Sequence, residues 1–400
     1  MGADQFDEFE TKERKQKISF FNWWMFSIVF GTLFSNTFRI YIQDNVGFSP
    51  GYAIPTVGLA ISIFVFLVGI PFYRHKLPTG SPFTKMARVL VAALINKRKE
   101  VVPGDPKELY ELSLGDYAKN GKFRIDYSTS LRILDKAAVK SGPTGPWVLC
   151  PVTQVEETKQ MIKMLPVLVA TFVPSAMSAQ VHTLFIKQGT TLIRSMGPHF
   201  EIPPACLGVF VTVSMLFSLM VYNRYFVPAV RRYTKNPRGL TLLQRLGIGL
   251  VMHIIIMIIA SLTENKRLSV ARDNGSTKQG DIVPLTIFIL LPQYVLLGVA
   301  ETFVEVSKLK FFYDQAPEGM KSLGTAYATI SLGIGNFLGS FLLTTVSNLT
   351  MRNGHKGWIL DNLNQSHLDY FYGFYAVLSF LNLLLFLAVA KFYVYNFFRD

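Results

Sequence analysis

A glutamate, Glu301, stands inside the apolar run Val283–Val304. An ionised carboxylate there costs about 2.5–3.5 kcal/mol on membrane-insertion scales, so it must face a wet cavity, pair with a cation or take up a proton. Desolvation raises a carboxylate pKa and a nearby cation lowers it. A proton-coupled carrier can exploit that contest; the alternative for Glu301 is a structural salt bridge to a neighbouring helix. A second polar group lies in Leu165–Ile186, where Ser178, Gln180, His182 and Thr183 stand among apolar neighbours. Gln180 and His182 could hydrogen-bond a substrate or relay a proton, since histidine titrates near neutrality. Each could equally hold helices together. Tyr294 and Asn336 complete the set of proton or substrate candidates. Glu305 and Lys308 read as a structural pair, and His253, alone in a very apolar stretch, as a packed and satisfied histidine.

Other chemistry is absent from the sequence. There is no HExxH, GxSxG or P-loop, and no set of carboxylates suited to hydrolysis. The expectation is a protein that is not an enzyme, needs no cofactor or metal, and draws on an ion gradient rather than ATP. Gly333, Gly335 and Gly339 have the wrong spacing for a dinucleotide loop and lie in an apolar run; Gly335 and Gly339 instead let helices approach closely. Cys150 and Cys206 have neither metal-ligand nor CxxC spacing.

The elements that must position these residues follow from composition. Of 400 residues, 50% are hydrophobic and only 16% charged, against about 25% charged in soluble chains. The net charge of +14 is split into clusters between apolar runs. That pattern suits loops at a membrane and not a nucleic-acid face. Eight runs reach the roughly 20 residues that a spanning helix needs: Ile18–Thr37, Tyr52–Tyr73, Leu165–Ile186, Pro203–Tyr222, Leu242–Leu262, Val283–Val304, Thr325–Val346 and Phe371–Val394. Pro166, Pro174, Pro284 and Pro292 are placed to kink two of them.

Basic residues gather before the first run (Lys12, Arg14, Lys15, Lys17), after the second (from Arg74 to Lys99) and after the fourth (from Arg224 to Arg245). Both termini and the Arg74–Met164 linker are therefore expected in the cytosol. Lys266, Arg267, Arg272 and Lys278 make one outer loop an exception. The glycosylation sequons at Asn274, Asn348 and Asn364 all fall in loops assigned to the outside. Within the linker, Pro82–Ala93 has the spacing of a helix lying along the membrane surface. Leu131–Lys140 reads as a second short helix, and Val155–Met164 as a lead into the third span.

Gly2–Asp7 (GADQFD) followed by Phe20–Trp24 (FFNWW) resembles the plant nitrate/peptide branch of the proton-dependent oligopeptide transporter family, within the major facilitator superfamily. Further matching blocks follow in order: Leu134–Ala138, Gln154–Lys159, Phe200–Pro204, Arg238–Gly249, Leu291–Phe303, Phe311–Met320 and Trp358–Tyr372. The resemblance implies an all-α polytopic membrane protein with a major-facilitator helix bundle. It makes the eight spans helices five to twelve, so that the bundle is N-terminally incomplete, with no counterpart of the family's ExxER motif or fourth-helix lysine. The implied organisation is 1–73 as the remnant of the N-terminal bundle, 74–156 as a cytosolic linker, and 157–400 as a C-terminal six-helix bundle. By the same resemblance Glu301 and the Ser178 helix line the central pathway. The implied function is proton-coupled transport of a di- or tripeptide or nitrate, in the plasma or vacuolar membrane; the alternative is a non-transporting form that associates with a full-length homologue. Ser178 replaces a histidine of nitrate-carrying relatives, Asn223 an aspartate, and Lys308 and Lys310 flank Leu309 where a glutamate usually precedes FFY.

Overall fold

The computed structural model describes residues 27–393 apart from 29, 74–79, 99–104, 106–107, 120–123, 141–144, 199, 235–239 and 352–356. Among the described residues, six helices are long and apolar enough to cross a membrane: Phe48–Phe72, Pro204–Val230, Leu242–Asp273, Ile287–Gln315, Glu318–Thr350 and Leu368–Phe392. The bent pair Val152–Ala170 and Phe172–Gly189 makes a seventh if it counts as one span. Seven of the eight expected spans thus have a counterpart. The other, Ile18–Thr37, begins outside the described residues, as do the GADQFD and FFNWW blocks. Its last part enters a π-helical turn, Ser35–Arg39, that continues as Ile40–Asn45.

Several boundaries differ from expectation for physical reasons. The third span is not one helix: it bends by 43° between Ala170 and Phe172. Pro174 has no N–H for the Ala170 carbonyl, which is where a helix yields. Thr171, fully buried at the bend, donates to the Leu168 carbonyl at 2.6 Å and shares a 2.8 Å hydrogen bond with Ser331. The sixth run does not begin as a helix. Val283–Thr286 is a strand paired in parallel with Leu192–Ile193, so Pro284 kinks nothing. Leu242–Asp273 continues a further three turns beyond the expected end at Leu262. A capping box starts it, with Gln244 N–H donating to Thr241 Oγ1 at 3.2 Å and Thr241 N–H to Gln244 Oε1 at 3.0 Å; a cap of this kind is worth about 1 kcal/mol.

Chain contacts divide the protein into two units. The first takes in residues 1–76, 173–304 and 335–383. Its core is aromatic: the Phe185 ring lies 5.6 Å from both Tyr294 and Tyr372, and Phe371 meets Tyr375 edge-on at 5.1 Å. Arg245, 7% exposed, lies over the Tyr222 ring at 4.1 Å and donates to the Thr302 carbonyl at 2.8 Å. His253 is buried, with Nδ1 2.8 Å from the Gly249 carbonyl, the packed role expected of it.

The second unit takes in residues 77–172, 305–334 and 384–400. The linker here is a folded body. Pro82–Ile95 is the expected helix, but its small face, Val89, Ala92 and Ala93, is buried in a core with Leu134, Ala137 and Val155. The expected second helix is a 3-10 segment, Arg132–Ala138, and Val152–Lys163 leads into the third span. Lys159, fully buried, pairs with Asp135 at 2.6 Å and Glu156 at 2.7 Å and donates to the Ser128 carbonyl at 2.9 Å. Burial raises the Asp135 carboxyl above its ordinary value against the opposing pull of Lys159. Glu305 pairs with Lys308 at 2.5 Å, as expected of them.

Candidate functional site

The site lies just past the bend at Thr171 and starts from Pro174. One turn beyond it, Ser178 donates to a carboxylate oxygen of Glu301 and also lies 3.0 Å from the Pro174 carbonyl. A hydroxyl has one proton, so it serves one of these acceptors at a time. An ionised Glu301 takes the Ser178 proton. A protonated Glu301 can donate to Ser178 Oγ, whose own proton then goes to Pro174. Both protonation states of the carboxyl therefore find a hydrogen bond within the same arrangement. Glu301 is only 9% exposed, so an unmatched state would be expensive.

Gln180 joins this region from the same segment. It is 3% exposed, and its amide nitrogen donates to the Ala176 carbonyl at 3.1 Å and the Tyr375 hydroxyl at 3.3 Å. Gly335 fits the close approach expected of it: a Cβ there would stand 2.4 Å from Ser175 Cβ. Tyr294 lies seven residues before Glu301 on one helix, hence on nearly the same face. It is fully buried and its hydroxyl has no hydrogen-bond partner among the described residues.

Other candidates lie apart. His182 and Thr183 are exposed, and among the described residues His182 makes no hydrogen bond to this cluster. Asn336 is exposed, its carbonyl accepting from Ser340 at 3.1 Å. The sequons separate too. Asn274 is exposed. Asn348 lies on the Lys321–Thr350 helix and not in a loop. Asn364 must be corrected: it is 4% exposed, accepting from Arg267 at 2.6 Å and donating to the Asp281 carbonyl at 3.0 Å. Its amide nitrogen has no room for a sugar.

That arginine belongs to a network the sequence reading missed. Arg267 and Glu264, both fully buried, form two parallel hydrogen bonds of 2.8 and 2.7 Å. Arg267 also donates to Thr191 at 3.1 Å and to the Leu363 carbonyl at 2.9 Å, and Gln188 donates to Glu264 at 2.6 Å. One side chain thereby ties its helix to two connecting segments, at Thr191 and at Leu363–Asn364. The signal was in the sequence: buried positions Met257, Ala260, Glu264, Leu268 and Ala271 keep helical spacing past Leu262.

The POT family model, PTR2, matches residues 1–359. Protein NRT1/ PTR FAMILY 5.2 of Arabidopsis thaliana is 61% identical over 397 residues, covering 99% of this chain and 68% of the relative. NRT1/ PTR FAMILY 5.3 of the same plant is 58% identical, covering 99% and 67%. Among solved structures, an auto-inhibited POT family peptide transporter superposes with a TM-score of 0.68 at 21% identity, covering 100% of this chain and 74% of that one.

Proposed function

The chain belongs to the POT family, whose members are membrane transporters and not enzymes, and we propose that it carries a di- or tripeptide or nitrate across a membrane together with protons, by alternating access. The observation that carries the reading is the Ser178–Glu301 contact beside the Pro174 carbonyl. A carboxyl that is satisfied both with and without its proton can change state during a cycle without a large penalty in either half. Glu301 is the proton-binding or substrate-binding group, Ser178 its hydrogen-bond partner, and Gln180 and Tyr294 supply further polar contacts. The organisation goes with this reading: residues 1–73 are the remnant of an N-terminal bundle, 74–156 form the linker, and 157–400 form the C-terminal bundle, with both termini cytosolic in a plasma or vacuolar membrane.

The test is E301Q, which keeps shape and one hydrogen bond but cannot ionise. It is expected to insert normally and to lose pH-driven uptake of a dipeptide or nitrate. Proton-dependent uptake at the wild-type rate in E301Q would remove Glu301 from the mechanism.

A further inference from the structure

Seven buried side-chain atoms of the first unit make no hydrogen bond among the described residues, and four of them lie on neighbouring segments. Gln180 Oε1, Gln293 Oε1, and the hydroxyls of Tyr294 and Tyr372 are buried and have no hydrogen-bond partner among the described residues. Gln293, Tyr294 and Tyr372 are 0% exposed, and Gln180 is 3% exposed. Buried polar groups are ordinarily matched by protein or by bound water.

These atoms are not scattered. Gln293 donates to Gln188 at 3.4 Å, and Gln188 donates to Glu264. Phe185, one turn before Gln188, is flanked by Tyr294 and Tyr372. Tyr372 and Tyr375 stand one turn apart on the Leu368–Phe392 helix. Tyr375 accepts from Gln180, two residues from Ser178, which holds Glu301. Hydrogen bonds and ring contacts thus link the residues that carry these atoms into a file between two buried carboxylates, Glu264 and Glu301. The charged or titratable groups facing the file are Glu264 and Arg267 from the Leu242–Asp273 helix, Tyr372 and Tyr375 from Leu368–Phe392, and Tyr294 and Glu301 from Leu291–Gln315.

We propose that the Tyr294 and Tyr372 hydroxyls, with the Gln180 and Gln293 carbonyls, hold bound water in this file, and that protons reach Glu301 along it. The inference rests on the reading of Glu301 as the proton-binding group. Each hydroxyl or water in the file accepts one proton and passes on another, so that after a transfer the file is unchanged. The net change is one O–H bond broken at a hydronium ion entering the file and one formed at the Glu301 carboxylate, the water being left behind at the entrance and the hydroxyls turning back afterwards. Glu264, held by both guanidinium hydrogen bonds of Arg267, stands at the end of the file away from Glu301.

The experiment uses Y294F, Y372F and the double variant, which remove only the hydroxyls. Three quantities are read in parallel: dialanine accumulation in proteoliposomes under an imposed pH gradient, dialanine exchange at equal pH, and melting temperature in detergent. A gradient of one pH unit can drive about tenfold accumulation per proton carried. The file predicts that Y372F accumulates dialanine at least about tenfold more slowly, with exchange within twofold of wild type and a lowered melting temperature. A raised melting temperature would mean that the hydroxyls were dry and unmatched, because removing such a group relieves a cost; that result overturns the proposal whatever transport does. Equal loss of exchange and accumulation in Y372F also overturns it, since that hydroxyl would then act in binding or folding. E301Q, measured alongside, tests the premise separately: accumulation retained there removes Glu301, while the melting temperatures still decide whether the file holds water.

Discussion

Replacing the two halves of the Glu264–Arg267 pair should have unequal costs, and the inequality can be worked from their contacts. Arg267 makes five hydrogen bonds: two to Glu264, and one each to Thr191, Asn364 and the Leu363 carbonyl. In E264Q the guanidinium keeps the last three and gains a neutral amide oxygen beside it, so the loss is about 1–3 kcal/mol. In R267Q the Glu264 carboxylate keeps only the Gln188 amide. A buried charge stripped of its partner costs about 3–5 kcal/mol. The connecting segments at Thr191 and Leu363–Asn364 also lose their common anchor. In E264Q/R267Q both charges are gone, and the damage should fall short of the sum by about 1–3 kcal/mol. Scanning fluorimetry of the four proteins in one detergent would measure this, with R267Q melting roughly 5 °C or more below wild type. Equal destabilisation by E264Q and R267Q, or strict additivity in the double variant, would refute the assignment of Arg267 as the anchor.

Three further outcomes follow from the same structure. G298A should destabilise by about 1–3 kcal/mol through overpacking, because a Cβ there would lie 2.0 Å from Ser214 Oγ and 2.2 Å from the Val211 carbonyl; G339A, with nothing nearer than 3.5 Å, should melt like wild type. Cys150 is buried, and desolvation pushes its thiol from an ordinary 9.0 up to about 11. In a C206S background its maleimide labelling at neutral pH should be about a hundredfold slower than in the denatured chain, in proportion to the thiolate, and should rise with pH until about 11. N364Q should leave electrophoretic mobility unchanged in a eukaryotic host while lowering the melting temperature; a mobility shift on that substitution would show that Asn364 carries a glycan after all.

Most of the helical framework was legible because burying a membrane span imposes one requirement, a long apolar run, that local sequence displays directly. Phe48–Phe72 and Leu368–Phe392 differ from expectation by only a few residues at either end. Where the reading slipped, backbone chemistry had overridden hydropathy. Val283–Thr286 is as apolar as a helix start, yet Pro284 cannot donate, and the Val283 N–H instead meets the Thr191 carbonyl at 2.8 Å. The opposite slip occurred at Leu262, where charged residues seemed to end a helix that in fact buries two of them. Counting Arg267 as a loop cation also inflated the positive charge assigned outside, an exception that shrinks once the residue is paired inside a helix.

The site divides along a similar line. A carboxylate in an apolar run announces itself by its desolvation cost alone, so Glu301 is legible in the sequence. Its partner was not, since Ser178 is an ordinary small polar residue whose meaning depends on which acceptors stand within reach. Pro174 was legible as a kink and Ser178 as a polar candidate, but their relation required the folded backbone. The residue whose ring bends the helix also supplies the carbonyl that competes with Glu301 for the Ser178 proton. A change at Pro174 that straightens the third span would therefore alter the hydrogen bonding of Glu301 without touching it, which makes the bend and the carboxyl one device.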